Sequence, residues 1–281
     1  MSAGFAAADV KVSGSASMGI ANNGVDDSNS TAPFGVDGYE AYSSVNIKFG
    51  ASVVSDSGIE FGVSTSVSGG HSYSFGDGAD AFADEGGTLG GPTLTAKGAF
   101  GTLTFSDDGV DNLYSDATAG DVGFSYTAGD LSLNVVSDVN GSNEDDDLGN
   151  IGWSASVGYT VSGVALSYAT DSSSSYNASV SYTSGGITGT IATDKFGEDD
   201  AVNTLTVAYA ANGISVEVSG DTTDYTSVAF GYSANSLSVD VSTDSDSVWE
   251  ATTSYDLGGG ATLVAGMNDT EEAYAGIDLS F

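Results

Sequence analysis

Apolar and small polar residues alternate along almost the whole of this 281-residue chain. Val10, Val12, Gly14, Ala16, Met18 and Ile20 hold one phase, and Lys11, Ser13, Ser15, Ser17 and Gly19 hold the other. Val45, Ile47 and Phe49 repeat the pattern, followed after the turn "SDSG" by Ile59, Phe61, Val63 and Val67. Leu131, Leu133 and Val135 alternate with Ser132 and Asn134; Val216 and Val218 flank Glu217; Val239 and Val241 flank Asp240. Side chains of a strand point alternately to opposite faces, so each segment predicts a strand with one apolar face and one small, polar face.

A joint recurs between these strands. "VGYTVSGVALSY" (157–168) places a tyrosine just before a short Ser-Gly turn. The joint returns as "FSYTAGDLSL", "VSYTSGGITG", "VAYAANGISV", "FGYSANSLSV" and "TSYDLGGGATL". Tyr126, Tyr159, Tyr182, Tyr209, Tyr232 and Tyr255 all fall on the apolar phase. Strand propensity explains scattered tyrosines but not a fixed offset from six turns. An aromatic ring with a polar tip suits the level where hydrocarbon meets water, so the six predict an aromatic girdle contacting membrane lipid.

Composition removes most other classes. Thirty-nine acidic residues stand against four lysines and no arginine, a formal charge of −35. Nucleic acid is excluded as a partner, because neutralising phosphates needs Lys and Arg. Disorder fits poorly with 40% hydrophobic residues at regular spacing. Without cysteine or arginine, and with one histidine, triads and zinc sites lack their parts. His71 lies in a Gly/Ser-rich stretch and reads as a solvated loop residue, so no enzyme is predicted. Glu144, Asp145, Asp146 and Asp147 offer oxygen ligands for Ca²⁺, the one cofactor the sequence offers; a solvated acidic loop is the simpler reading.

Both a soluble sandwich and a transmembrane barrel have strands with one apolar face. Here the polar phase holds Ser, Thr, Gly and Asn more than Lys and Glu, which suits a wet lumen better than a soluble surface. Turns on the tyrosine side are short, whereas the other connections include the longest segments and most of the acid. That is the polarity of short periplasmic turns and longer outer loops. The last segment, "EAYAGIDLSF", is an amphipathic strand ending in Phe281, an expected barrel-assembly signal. Residues 1–8 resemble the tail of a signal peptide, with a single barrel over 9–281.

"DVKVSGSASMGI", "SDSGIEFGVS", "KGAFGTLTFSD" and "SYDLGGGATLVAG" resemble strands and hairpins of the alphaproteobacterial general porins. The resemblance implies a homotrimeric barrel in the bacterial outer membrane that passes small hydrophilic solutes. It further implies that residues 107–121 form a loop constricting the pore, carrying Asp107, Asp108, Asp111, Asp116 and Asp121. Arginines usual on the facing wall are absent; the corresponding positions hold Ser17, Ser44 and Asn46, leaving Lys11, Lys48 and Lys97 as the inner-wall basic residues. The fold class expected is thus all-β, an up-and-down antiparallel transmembrane barrel of 16–18 strands. Counting hairpins favours eighteen and the resemblance implies sixteen. The excess of carboxylates predicts a preference for cations. The alternative is a secreted, acidic β-rich surface-layer or fibre protein.

Overall fold

The computed structural model describes residues 9–23, 38–77, 81–87, 89–114, 119–139 and 152–281. The expected signal remnant, residues 1–8, lies outside them, as do Asp116 and the candidate calcium ligands Glu144–Asp147. The described strands are β1 (Asp9–Asn23), β2 (Tyr39–Val54), β3 (Glu60–Tyr73), β4 (Phe82–Glu85), β5 (Thr93–Gly98), β6 (Gly101–Asp111) and β7 (Ala119–Ala128). They continue as β8 (Leu131–Asp138), β9 (Gly152–Val161), β10 (Val164–Asp171), β11 (Tyr176–Ser184), β12 (Ile187–Lys195) and β13 (Val202–Ala211). The last six are β14 (Ile214–Asp221), β15 (Thr226–Ala234), β16 (Leu237–Asp244), β17 (Trp249–Gly258), β18 (Ala261–Asn268) and β19 (Glu272–Ser280).

All belong to one antiparallel sheet that closes on itself. β19 pairs with β1 from Ser15↔Ser280 to Asn23↔Glu272, and Gly14 and Phe281 exchange backbone hydrogen bonds of 2.7 and 3.0 Å beyond that ladder. β4 and β5 both pair with β3, at Gly70–Tyr73 and Glu60–Ser64, with Leu89 bridging to Val67 between them. They form one interrupted stave, so the barrel has 18 staves. The hairpin count is met; the sixteen implied by resemblance is not.

Turn chemistry fixes the register at both ends. At the tyrosine end, hairpins such as β13–β14 close through two residues, Asn212 and Gly213, with φ of 53° and 79°. Positive φ at both positions matches the right-handed twist of the strands it joins. At the other end, four tight loops share one device. The side chains of Asp171, Asp221, Asp244 and Asn268 accept from backbone N–H groups two and four residues on. The residue three on, Ser174, Asp224, Ser247 or Glu271, has φ between 66° and 69°. Three aspartates, Asp171, Asp221 and Asp244, are therefore turn-forming. The long outer connections all precede β9.

Closure removes every sheet edge, and the sheet encloses a lumen rather than a packed centre. Among the described residues the buried apolar side chains are few: Ala21, Tyr42, Ala81, Val136 and Ala169.

Candidate functional site

One hydrogen bond decides which face is inside. The Tyr114 hydroxyl donates to Asp194 Oδ1 at 3.1 Å, and its ring stacks on Phe196 with centroids 6.4 Å apart. Tyr114 follows β6, whereas Asp194 is on β12, six staves further round a ring of 18. Staves about 4.8 Å apart and tilted by roughly 40° close eighteen strands at a backbone radius of about 18 Å. The connection after β6 covers part of that arc, with Leu113 N donating to Ser154 Oγ on β9 at 3.0 Å, and the Tyr114 side chain then reaches β12 from inside the ring. Asp194 therefore points inward, and with it the polar phase of every strand. Ile187 and Ile191 on the opposite phase point outward, 54% and 64% exposed.

The outward face is a continuous apolar surface. The six tyrosines expected to form a girdle lie on it at the short-turn end: Tyr126 opposite Leu133, Tyr159 opposite Leu131 and Leu166, Tyr182 opposite Val164. Tyr209 lies between Ile187 and Val216, Tyr232 between Ile214 and Val239, and Tyr255 between Leu237 and Leu263. A second aromatic level, not anticipated from the joint motif, stands near the other rim. Trp153, Tyr176 and Trp249 sit six residues from Tyr159, Tyr182 and Tyr255 on the same outward phase. The even spacing was the available signal.

The segment expected to be a loop over 107–121 is mostly wall. Residues 107–111 continue β6 and 119–121 begin β7, leaving only 112–118 as connection. The cause is a bulge: the register jumps from Phe105↔Val122 to Val110↔Gly120, so residues 106–109 oppose Asp121 alone. Such insertions bend a strand and re-aim the residues beyond them. Asp121, expected as a pore acid, is instead 6% exposed. Its carboxylate accepts from Asp108 N at 3.1 Å and Val139 N at 2.8 Å, bracing the bulge. Oxygens of Asp108, Asp121 and Asp138 lie within 4.8 Å of one another. Asp107, Asp108 and Asp111 are exposed on the bulged strand. Beyond them Leu113 N donates to Ser154 Oγ on β9 at 3.0 Å, so 112–114 lies against the inner wall before Tyr114 reaches β12. Loss of solvent and the hydrogen bond to Asp194 push the Tyr114 phenol up to about 12.

Lys11, Lys48 and Lys97 lie on the inner phase of β1, β2 and β5, opposite Gly50, Ser13 and Glu60 respectively. Ser17, Ser44 and Asn46 lie there too, with Ser17 and Ser44 hydroxyls 3.4 Å apart and Asn46 donating to Ser68 at 2.7 Å. Further round the ring, Glu217, Asp240 and Glu250 project from β14, β16 and β17 into a shallow inner recess floored by Ala208, Ala229 and Gly231. The three lysines thus cluster on β1, β2 and β5, with Glu60 opposite Lys97, and a separate carboxylate group stands on β14, β16 and β17.

His71 needs correction. It is not a solvated loop residue: it lies on β3, with Nδ1 2.8 Å from Asp84 Oδ1 and Nε2 3.3 Å from Glu40 Oε1. Its strand parity matches outward Val67, yet it meets inward Glu40. The inversion occurs at Gly70, where φ is +111° and a Cβ would collide with the Ser43 carbonyl. Only glycine accommodates that crossing.

No protein-family model matches the chain, and no curated protein matches it by sequence. Solved structures do match. A triple mutant of Rhodopseudomonas blastica porin aligns with 97% of this chain and 100% of its own, at 16% identity and a TM-score of 0.55. The fold is that of the outer-membrane porins. A quintuple mutant of the same porin gives the same coverage and TM-score at 15% identity. A neighbour described under asymmetric conductivity of engineered proteins matches at 16% identity with a TM-score of 0.54. At this identity the likeness speaks for the fold, and the chemistry rests on this chain's own residues. A porin barrel with an apolar exterior leaves the secreted fibre reading without support.

Proposed function

We propose that this chain is an outer-membrane porin: a water-filled passage for small hydrophilic solutes, open to diffusion and preferring cations. The observation that carries the reading is the Tyr114–Asp194 contact, which makes the Ser/Thr/Gly-rich, acidic face the inner wall. An enzyme is not favoured, because the inward carboxylates are spread over a wide wall without a nucleophile or base in hydrogen-bond array.

Selectivity follows from the imbalance of charge. Three inward lysines are outnumbered by Glu60, Asp194, Glu217, Asp240 and Glu250, with Asp107, Asp108 and Asp111 on the bulged strand beside Tyr114. Fixed carboxylates lining a water-filled passage with low-dielectric walls raise the local concentration of cations. Screening limits their reach to roughly 8 Å at physiological salt and about 3 Å at 1 M. The six outward tyrosines serve as the girdle at the periplasmic interface. Homotrimers are the assembly we propose, seated through the face where Met18, Ile20, Leu263, Ala265 and Ala275 line an apolar outward groove.

Reversal potentials across a KCl gradient in planar bilayers test the reading. Cation preference is expected to be clear in dilute salt and weak in concentrated salt. Neutralising Glu217, Asp240 and Glu250 together reduces it, as does neutralising Asp107, Asp108 and Asp111. An anion-selective wild type refutes the electrostatic argument.

A further inference from the structure

Several lumen-facing positions opposite Tyr114 are closed to water. Ala21 on β1 is 0% exposed, Glu272 on β19 is 1% and Tyr42 on β2 is 5%. Ala21 pairs with Glu40 and Tyr274, on the polar phase that Asp194 identifies as inward. An inward residue of a hollow barrel stays wet unless something lies over it. Here the cover is the chain itself, between β3 and β4.

The cover is fastened by three kinds of contact. Past the inversion at Gly70, Tyr73 stacks on Tyr42 at 5.4 Å and meets Tyr274 at 5.7 Å; Phe75 packs on Tyr274 at 4.9 Å and Phe82 on Tyr73 at 5.1 Å. Gly76 N donates to Glu272 Oε2 at 2.7 Å, an oxygen that also accepts from Asn268 Nδ2 at 2.9 Å. Ser74 N donates to the carbonyl of Ala81, itself 1% exposed, closing the segment on itself. The wall is cut to receive it. A Cβ at Gly19 or Gly276 would collide with the Tyr42 hydroxyl, so glycines on two adjacent staves make room for that ring. These contacts involve Tyr42 and Ala81, two of the five buried apolar side chains among the described residues. The largest aromatic cluster among the described residues is thus built into the lumen.

Position gives this packing a consequence. Counting β4 and β5 as one stave, β2 is the second and β12 the eleventh of 18, half a turn apart. We propose that residues 73–76 and 81–82 form a strap that bounds the passage from the side opposite Tyr114, so that the aperture is a slit between two inward segments of one chain. The slit's length then runs between the β7–β8 side and the acidic β16–β17 wall, a quarter turn away on either hand. This rests on the porin reading for its function, but the strap itself does not.

The chain has no cysteine, so single cysteines report cleanly. Ala21→Cys in the full-length protein, refolded into vesicles, is expected to react with a charged maleimide at least tenfold slower than Ser15→Cys, an exposed position on the same inward phase. Adding Phe75→Ala with Glu272→Gln is expected to remove that difference. In variants that keep a heat-dependent gel shift, the same release is expected to raise single-channel conductance and admit larger polyethylene glycols. Equal labelling of Ala21→Cys and Ser15→Cys in the otherwise native chain overturns the strap. A freed Ala21→Cys with unchanged conductance and polymer cut-off overturns its role in the aperture. A folded wild type that shows the labelling difference but no conductance overturns the porin reading and leaves the strap standing.

Discussion

Replacing Ile191 by arginine probes the claim that the apolar phase faces lipid. Ile191 lies between Val180 and Leu205 on neighbouring staves and is 64% exposed. The two aromatic levels stand six residues apart along β9, β11 and β17, about 16 Å along the barrel axis at a rise of roughly 3.4 Å and a tilt near 40°. Ile191 is four residues from Ile187, which pairs with girdle residue Tyr209, so it sits close to the middle of the band. Losing the isoleucine surface costs about 1–2 kcal/mol, a full side chain being worth roughly 1.5–3. The arginine adds the penalty of charge in hydrocarbon, for a total of about 2–4 kcal/mol at the midplane against about 0–1 near the interface. Ile191→Arg is therefore expected to shift the folding equilibrium by about 30- to 1,000-fold. Ile187→Arg is expected to shift it less than tenfold, and inward Thr190→Arg hardly at all. Urea titration of refolding into short-chain phosphatidylcholine vesicles reads all three. Equal tolerance at Ile191 and Thr190 would refute the assignment of faces.

Three other outcomes rest on named contacts. Asp121→Ala leaves the Asp108 and Val139 amides without the buried carboxylate that accepts from both; a loss of about 1–3 kcal/mol is expected in the same titration, and wild-type stability would show that water replaces the carboxylate. Phe281→Asp places charge where the ring covers Gly14 on the outward side of the closing ladder; less folded barrel is expected in outer-membrane fractions, and normal levels would show the contact to be dispensable. Tyr114 holds Asp194 as a neutral phenol, with its pKa pushed above the ordinary value of 10 to about 12. The contact is thus complete below pH 10 and lost as pH rises through about 12; conductance noise should rise there in the wild type, and a Tyr114→Phe channel showing the same transition would refute the link.

The period-two alternation alone determined strands, their two faces and, with the recurrent tyrosine joint, a barrel of about the observed strand number. Those are local properties: side-chain direction alternates at every residue, and a turn's φ values depend on two or three neighbours. His71, Asp121 and the strap were hidden for the opposite reason. Whether His71 faces in or out turns on one glycine with positive φ, which reverses a parity the flanking residues still display. Asp121 reads as one acid among many until the bulge places it beneath the amides of Asp108 and Val139, which are 13 and 18 residues away in sequence. Tyr114 meets Asp194 across 80 residues, and Gly76 meets Glu272 across 196. No periodicity encodes such contacts, because they exist only once closure has curved the sheet and brought distant staves to face each other across the lumen. Sequence set the wall; the closed ring decided what reaches across it.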